Sequence, residues 1–324
     1  MFRRRQFLGL SAGIMVHPLL SQIAIAQVYP AQPVRVVIGF PAGAGGDIVI
    51  RIIGQWLSER LGQPFVIDNR PGAGGNIATE AVVRAPSDGY TLLLVTPPNV
   101  INATLYEKLN FNFIKDIAPI AGLTLLPNVM VVHPSVPAKT VPEFIAYAKA
   151  NPGKINMASF GNGTSAHLAG ELFKMMAGID MVHVPYRGAP PAITDLLSGQ
   201  VQVCFASTPV SIEHIRVGKL RALAVTAATR WEELPDIPTV NDFLPGYEAT
   251  VWFGVGAPKN TPAAIIEKLN KEINAALADP KTKARLADLG GSVMVGSPAD
   301  FRKFIADETE KWAKVVKFSG AKPD

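Results

Sequence analysis

The sequence predicts an α/β fold made of two units, each a mainly parallel sheet flanked by helices. Short apolar runs alternate with segments of helical periodicity from residue 27 onward. Strands this apolar, separated by helices, are typical of parallel sheets covered on both faces. A length of 324 residues is enough for two domains with their own cores.

The first half of the chain shows the alternation clearly. Ile52, Ile53 and Trp56 fall on one face of a helix that we expect to begin near Ile48, and Gly62 ends it. The elements predicted in this half are a strand at Val34–Ile38, the helix from Ile48 to Arg60, a strand at Phe65–Ile67, a helix at Ala78–Arg84, a strand at Thr91–Val95 and a short helix at Ile101–Leu105.

A second unit begins near Pro127 and repeats the pattern. Thr140 and Glu143 have the spacing of a capping box, which predicts a helix that ends near Lys149. Residues 231–247 are predicted to be irregular. The other predicted elements are strands at Val129–Val132, Ile155–Ser159, Val182–Val184, Val201–Ala206, Arg221–Thr226, Val251–Val255 and Ser292–Val295, and helices from Ser165 to Met176, at Pro191–Leu197, up to Arg216, and at Pro262–Ala278, Pro280–Leu289 and Pro298–Phe318.

A glycine-rich junction at residues 39–47 joins the first predicted strand to the first helix. A helix start offers unpaired N–H groups and the positive end of the dipole, and glycine lets backbone approach a ligand. The junction lacks the Gly-Lys-Ser/Thr ending of a P-loop, and Ile48 takes the third glycine position of a dinucleotide-binding motif. The loop is therefore suited to a small carboxylate held by backbone amides.

A second junction has the same layout. The strand predicted at residues 155–159 runs into Phe160–Ser165, rich in Gly, Asn and Ser, and then into a helix. Two such helix starts, one in each unit, predict a cleft in which an acid meets a positive dipole end from either side.

Residues 1–26 have the pattern of an export signal. Arg3-Arg4-Arg5 precedes an apolar stretch, and Ala24-Ile25-Ala26 has the small-x-small pattern of a cleavage site. Residues 4–8 resemble the twin-arginine type, with Sec-dependent export as the alternative. Removal of this segment takes away three arginines and no acidic residue, which lowers the net charge from +5 to +2.

Composition and motifs argue against several functions. The chain has no block of like charge and no basic–aromatic alternation, so we expect no nucleic-acid partner. Cys204, the only cysteine, lies in an apolar run and is expected to be buried and inert. The five histidines lack metal-binding spacing and no Gly-x-Ser-x-Gly occurs, so we expect no metal, no cofactor and no enzyme activity.

A series of short motifs follows in order along the chain. They are Tyr29-Pro30, Pro33-Val34-Arg35, Phe40-Pro41-Ala42-Gly43, the glycine loop at 69–76, Asp88-Gly89-Tyr90-Thr91-Leu92-Leu93, residues 159–168, Val184-Pro185-Tyr186-Arg187-Gly188, residues 218–224 and residues 234–239. Together they resemble the Bug family, the periplasmic solute-binding receptors of tripartite tricarboxylate transporters. The resemblance covers essentially the whole chain after residue 26.

This resemblance implies a two-lobed periplasmic binding protein, a Venus flytrap of type II. Lobe 1 would comprise residues 27–126 plus 250–324, and lobe 2 residues 127–249. A monomer in the periplasm would capture a small carboxylate (a di- or tricarboxylate, an aromatic acid or an acidic amino acid) and deliver it in a transient contact to membrane transporter subunits. The alternative is a receptor that presents its closed form to a sensor kinase.

The resemblance also implies ligand loops at residues 40–47 and 159–165, and residues that follow other strands add candidates. Asp47 is either a ligand contact or a helix cap, and Arg187 either a carboxylate clamp or a surface cation. A packed histidine is the favoured interpretation of His167. The candidate ligand-binding residues are Phe40, Pro41, Ala42, Gly43, Ala44, Gly45, Gly46, Asp47, Thr96, Asn99, Ser159, Gly161, Asn162, Gly163, Thr164, Ser165, His167, Tyr186, Arg187 and Ser207.

Overall fold

The computed structural model describes residues 29–231 and 234–323. The export signal expected at residues 1–26 lies outside the described residues. The strands are β1 (Val34–Ile38), β2 (Phe65–Asn69), β3 (Thr91–Val95), β4 (Ile117–Val132), β5 (Asn156–Ser159), β6 (Val182–Pro185), β7 (Val203–Ser207), β8 (Arg221–Val225), β9 (Thr250–Pro258) and β10 (Ser292–Val293).

Helices fill most of the chain between these strands. The helices are α1 (Gly45–Leu61), α2 (Asn76–Val83), α3 (Pro97–Leu105), α4 (Phe113–Asp116), α5 (Val141–Ala150), α6 (Ser165–Ala177), α7 (Ala189–Leu197), α8 (Thr208–Arg216), α9 (Ala263–Ala278), α10 (Pro280–Ala287) and α11 (Pro298–Ser319). Half of the predicted capping box of α5 forms, since the Glu143 N–H donates to Thr140 Oγ1 at 3.3 Å, whereas the Glu143 carboxylate accepts from the Lys139 N–H at 2.7 Å. No helix in the described part of the chain combines the length and the apolar character needed to cross a membrane.

β4 links the two halves of the sheet. Its first part, Ile117–Pro127, pairs antiparallel with β9, and Asn128–Val132 pairs antiparallel with β7 and β8. The order is β2-β1-β3-β9-β4-β7-β5-β6, with β8 and β10 also beside β4. β1 lies parallel to β2 and β3, and β5 lies parallel to β6 and β7. The molecule is a two-lobed α/β fold, with β1, β2, β3 and β9 in lobe 1 and β5 to β8 in lobe 2.

Several elements differ from the sequence-based expectation, among them α3, which begins at Pro97 rather than Ile101, and α4, which was not predicted. A strand was predicted only at Val129–Val132, whereas β4 begins at Ile117 and runs through both lobes. Helix α1 begins at Gly45 rather than near Ile48, so the last residues of the glycine-rich junction form its first turn. The glycines there weaken any helical signal in the sequence, because glycine is a poor helix former in isolation.

The largest core cluster extends from lobe 1 into lobe 2. It contains Leu93 of β3, Phe144 of α5, Phe173 of α6 and Trp312 of α11, all buried. Helix α11 packs against α3 in lobe 1 and against α6 in lobe 2. Apolar surface buried on both sides of α11 therefore stabilises the contact between the lobes.

Glu308 of α11 accepts hydrogen bonds from two buried indoles. Its Oε2 lies 2.8 Å from Nε1 of Trp252 in β9 and 2.8 Å from Nε1 of Trp312 in α11. The carboxylate also pairs with Lys311 on the same helix. This contact joins α11 to the beginning of β9, where the chain returns from lobe 2 to lobe 1.

Glu308→Ala is expected to lower the free energy of unfolding by about 2–4 kcal/mol, because two buried N–H groups lose their acceptor. Glu308→Gln keeps an acceptor oxygen and should lose less. Urea unfolding followed by tryptophan fluorescence measures both changes.

The matched control is Glu310→Ala on the exposed side of the same helix. Glu310 pairs with Lys314 at 2.9 Å, and both side chains are exposed. Such a pair contributes less than about 1 kcal/mol. Equal losses for Glu308→Ala and Glu310→Ala would contradict the role given to Glu308.

Candidate functional site

The two glycine loops of lobe 1 lie in direct backbone contact. A Cβ atom on Gly39, directly after β1, would lie only 2.6 Å from Cα of Gly75. Gly75 closes a short 3₁₀ turn at Ala73–Gly75, ahead of α2. Any side chain at Gly39 would push the loops apart, so glycine is needed there for a steric reason.

Asp47 binds to its own lobe through four hydrogen bonds. Its carboxylate accepts from the Gly43 N–H at 2.9 Å, from two nitrogens of Arg51 at 2.9 Å each and from Asn69 Nδ2 at 3.0 Å. The hydrogen bond from Arg51 is the main reason that the pKa of Asp47 is lowered to about 2. Three of these four donors are side-chain nitrogens, and Asp47 is the third residue of α1 rather than its cap, so the carboxylate is held within its own lobe mainly by Arg51 and Asn69.

The corresponding loop of lobe 2 is held by side chains at both ends. Thr164 caps α6, because its Oγ1 accepts the His167 N–H at 3.4 Å while it donates to the Gly161 carbonyl at 2.7 Å. The Gly163 N–H donates to Nδ1 of His167 at 3.1 Å. His167 is 3% exposed and stacks on His183 with 3.7 Å between ring centroids. Burial, with smaller effects of His183 and Lys174, lowers the pKa of His167 to about 3.

Backbone donors at the start of both helices remain without a partner. Among the described residues, the N–H groups of Gly45 and Gly46 in α1 and of Ser165 and Ala166 in α6 make no hydrogen bond. This is the usual state of the first N–H groups of a helix, and such groups bind anions well.

A cleft of about 370 Å³ opens between the two lobes, and its lining includes the loops ahead of α1 and α6 but no residue of these two helices. The residues that line it are all uncharged, and they come from both glycine loops of lobe 1, from α3 and the residue after it, from the α6 loop and from the C-terminal tail. They are Gly39, Phe40, Pro41, Pro71, Gly72, Ala73, Gly74, Gly75, Pro98, Asn102, Leu105, Tyr106, Asn162, Gly163, Thr164 and Pro323.

The structure brings the two predicted loops to this one cleft. Phe40 and Pro41 line it from lobe 1, and Asn162, Gly163 and Thr164 line it from lobe 2. The other predicted loop residues do not line the cleft, although they are close to these residues in sequence. They are Ala42, Gly43, Ala44, Gly45, Gly46 and Asp47 on one side and Ser159, Gly161, Ser165 and His167 on the other.

Thr96 and Asn99 do not line this cleft. The Thr96 N–H donates to Asn99 Oδ1 at 2.7 Å, and Asn99 Nδ2 donates to Thr79 at 2.8 Å. Both side chains are buried at the start of α3, where they form a capping box.

Tyr186, Arg187 and Ser207 also lie outside the lining. The Tyr186 hydroxyl donates to Asp195 at 2.7 Å. Ser207 is the residue before α8, and its carbonyl accepts from Ser211 Oγ at 3.1 Å. Arg187 is exposed and forms no ion pair within residues 29–231 and 234–323.

Sequence reasoning missed the α3 side of the cleft. Asn102 donates to the Gly74 carbonyl at 3.0 Å, and Leu105 would meet a Cβ on Gly163 at 2.7 Å. The position of α3 after the carboxyl end of β3 was the available signal. Nothing in the local sequence indicates that the tail at Pro323 reaches the same cleft.

The cleft offers no metal site. No group of three or more His, Cys, Asp or Glu side chains is arranged to hold a metal ion in the part of the chain that the structure describes. Cys204 is buried as expected, and burial raises the pKa of its thiol to about 12.

Comparisons with known proteins agree with this geometry. A family model described as "Tripartite tricarboxylate transporter family receptor" matches residues 49–320. Protein BugT of Bordetella pertussis is 38% identical over 300 residues, which cover 92% of each chain. The solved structure of R. palustris Rpa4515 with adipate is 36% identical, with a TM-score of 0.81 over 91% of this chain and 100% of that one. MatC from Rhodopseudomonas palustris with bound malate is 32% identical, with a TM-score of 0.76 over 89% and 100%.

His167→Asn is expected to make folding less sensitive to acid. An unfolded histidine takes up a proton below a pKa of about 6.5, whereas in the folded protein the pKa of His167 is about 3. Between these values the unfolded state binds more protons, so the free energy of unfolding falls as the pH falls. Between about pH 7.5 and about pH 4.5, the wild type should lose about 2 kcal/mol more than His167→Asn in urea unfolding.

Glu171, Lys174 and His183 face the His167 ring and are present in both proteins, so their own titration cancels to first order. Identical pH dependence of the two proteins would contradict a neutral, buried His167.

Proposed function

Because this chain belongs to the tripartite tricarboxylate transporter receptor family, we propose that it captures a small carboxylate between its two lobes and delivers it to a membrane transporter. The family consists of solute-binding receptors without enzyme activity, and this chain is such a receptor. The observation that carries the proposal is one uncharged cleft lined by the loops ahead of α1 and α6, two helices whose first N–H groups have no partner among the described residues.

The carboxylate class is supported by the chemistry of the cleft and by the related structures. A carboxylate accepts several N–H donors at once, and the positive dipole ends of α1 and α6 favour its charge. Structures at 36% and 32% identity hold adipate and malate, both carboxylates. We extend this class to the present chain.

We propose the periplasm as the site of action. Family membership supports this, since the related solved structures include a periplasmic binding protein, BugD. The three arginines, the apolar stretch and the cleavage pattern of residues 1–26 support an export signal, which would carry the chain to the periplasm.

We propose lobes with boundaries at residues 27–126 plus 250–324 and at residues 127–249. In support, β4 changes its partner from β9 to β7 and β8 between Pro127 and Asn128, and β9 begins at Thr250. A ligand that contacts both helix starts binds the closed arrangement better than the open one, so its binding shifts the population toward closure.

A thermal-shift panel tests the ligand class. Adipate, malate, citrate, glutamate and benzoate are compared with adipamide, the uncharged diamide that matches adipate in shape. A ligand at about 100 times its Kd should stabilise the protein by about 2.7 kcal/mol. At least one acid should raise Tm while adipamide has no effect, because the dipole ends favour negative charge. A shift with adipamide and none with any acid would overturn the proposal.

Gly45→Asp should weaken carboxylate binding by at least about tenfold, or about 1.4 kcal/mol. Gly45 is exposed and a Cβ there meets no atom within 4 Å, so a side chain is tolerated. The new carboxylate would repel the ligand, by about 4 kcal/mol for charges about 4 Å apart near a protein surface. Isothermal titration calorimetry measures the change with the acid that gives the largest thermal shift.

Gly45→Ala is the matched control and should bind within about threefold of the wild type, or about 0.7 kcal/mol. An acidic residue in the first turn also favours the helix itself, so lost binding in Gly45→Asp would not come from a weakened α1. Gly43 is a poorer test position, because its φ of +83° disfavours any side chain. If Gly45→Asp and Gly45→Ala bind equally well, the α1 start is not part of the site.

A further inference from the structure

The two ligand loops share a hydrogen bond between a glycine and a side chain four residues later. In lobe 1 the Gly43 N–H donates to Asp47 at 2.9 Å, and in lobe 2 the Gly163 N–H donates to His167 at 3.1 Å. Both glycines have positive φ, +83° and +71°. Both acceptors are the third residue of the helix that follows, α1 or α6. Asp47 and His167 therefore occupy equivalent positions.

The His167 ring is fixed by a second histidine. His183 of β6 stacks on it with an interplanar angle of 5°, and Nε2 of His183 lies 2.6 Å from Ser159 Oγ. Ser159 ends β5, and its hydroxyl oxygen is 3.2 Å from the Gly161 carbonyl oxygen and 3.3 Å from the Gly161 nitrogen. The same small network thus contacts the loop at Gly161 and at Gly163.

The hydrogen bond from the Gly163 N–H also determines the protonation state and the tautomer of His167. Nδ1 accepts the Gly163 N–H, so the ring proton is on Nε2, which lies 3.9 Å from Glu171 Oε1. The His167 ring brings no charge to the start of α6, and the carboxylate of Asp47 at the start of α1 is paired with Arg51 at 2.9 Å. The residue four positions after His167 is Glu171, where α1 has Arg51, so a carboxylate at position 167 would lack such a partner and would oppose an anion at the α6 start.

We propose that His167 is a positioning residue that holds the Gly161–Ser165 loop in its ligand-binding conformation through the Gly163 N–H, with His183 and Ser159 fixing its ring. It is the uncharged counterpart of Asp47, whose own carboxylate is paired with Arg51, and it keeps the α6 start free of negative charge. The expected effect on affinity rests on the carboxylate-binding function proposed above, whereas the hydrogen bond from Gly163 to His167 does not.

Three variants separate the acceptor from the charge. His167→Asn places an oxygen near the position of Nδ1, His167→Asp places a charged oxygen there, and His167→Leu removes the acceptor. Amide hydrogen exchange of Gly163 is measured by NMR without ligand, and affinity is measured by calorimetry with adipate and malate.

Gly163 should exchange at least about tenfold faster in His167→Leu than in the wild type, which corresponds to about 1.4 kcal/mol, and at nearly the wild-type rate in His167→Asn and His167→Asp. The internal control is the Gly178 amide, which donates to the Lys174 carbonyl at the other end of α6. Its exchange should stay unchanged, which excludes general loosening of the helix. Relative to the wild type, affinity should be nearly unchanged in His167→Asn and reduced in both His167→Leu and His167→Asp.

Unchanged Gly163 exchange in His167→Leu would overturn the proposal, and so would equal acceleration in His167→Asn and His167→Leu. Wild-type affinity in His167→Asp would overturn the part of the proposal that concerns charge. If neither acid binds the wild type, the choice of ligand in the proposed function fails, and the exchange rates alone decide the role of His167.

Discussion

The N–H groups that begin a helix have no acceptor inside that helix, and the structure of this protein depends on how that deficit is met. At α1 and α6 the protein supplies acceptors for some of these N–H groups and leaves others without a hydrogen bond among the described residues. Asp47 and His167 take the N–H of the glycine ahead of each helix, and Thr164 takes one more. The N–H groups of Gly45, Gly46, Ser165 and Ala166 make no hydrogen bond within the described residues, and we propose them as donors to an anion.

The surrounding architecture brings these two helix starts to one cleft. β4 passes from the sheet of lobe 1 into that of lobe 2, and α11 packs on helices of both lobes. Glu308 ties α11 to β9 through two indoles. Elements far apart in sequence thus hold the α1 and α6 loops at the same cleft.

Because the residues that line the cleft are all uncharged, backbone amides and side chains would contribute differently to ligand recognition. Backbone amides can recognise a carboxylate without regard to the rest of the molecule. In the proposed function, discrimination among carboxylates would depend on the side chains that line the cleft, such as Phe40, Leu105, Asn102 and Tyr106. This division fits a family in which one fold serves ligands as different as adipate and malate.

Local sequence patterns determined most of the secondary structure and the two glycine-rich loops. The alternation of apolar runs and helical periods predicted most strands and helices, and the glycines at 39–47 and 161–163 predicted two loops suited to an anion, because turn and helix-start signals act over a few residues. The long first part of β4, the α3 side of the cleft and the tail at Pro323 were not predictable, since they depend on partners more than a hundred residues away in sequence or on the path of the folded chain. The sequence could name His167 as a packed histidine, but only the folded structure shows His183 stacked on its ring and the Gly163 N–H donating to its Nδ1.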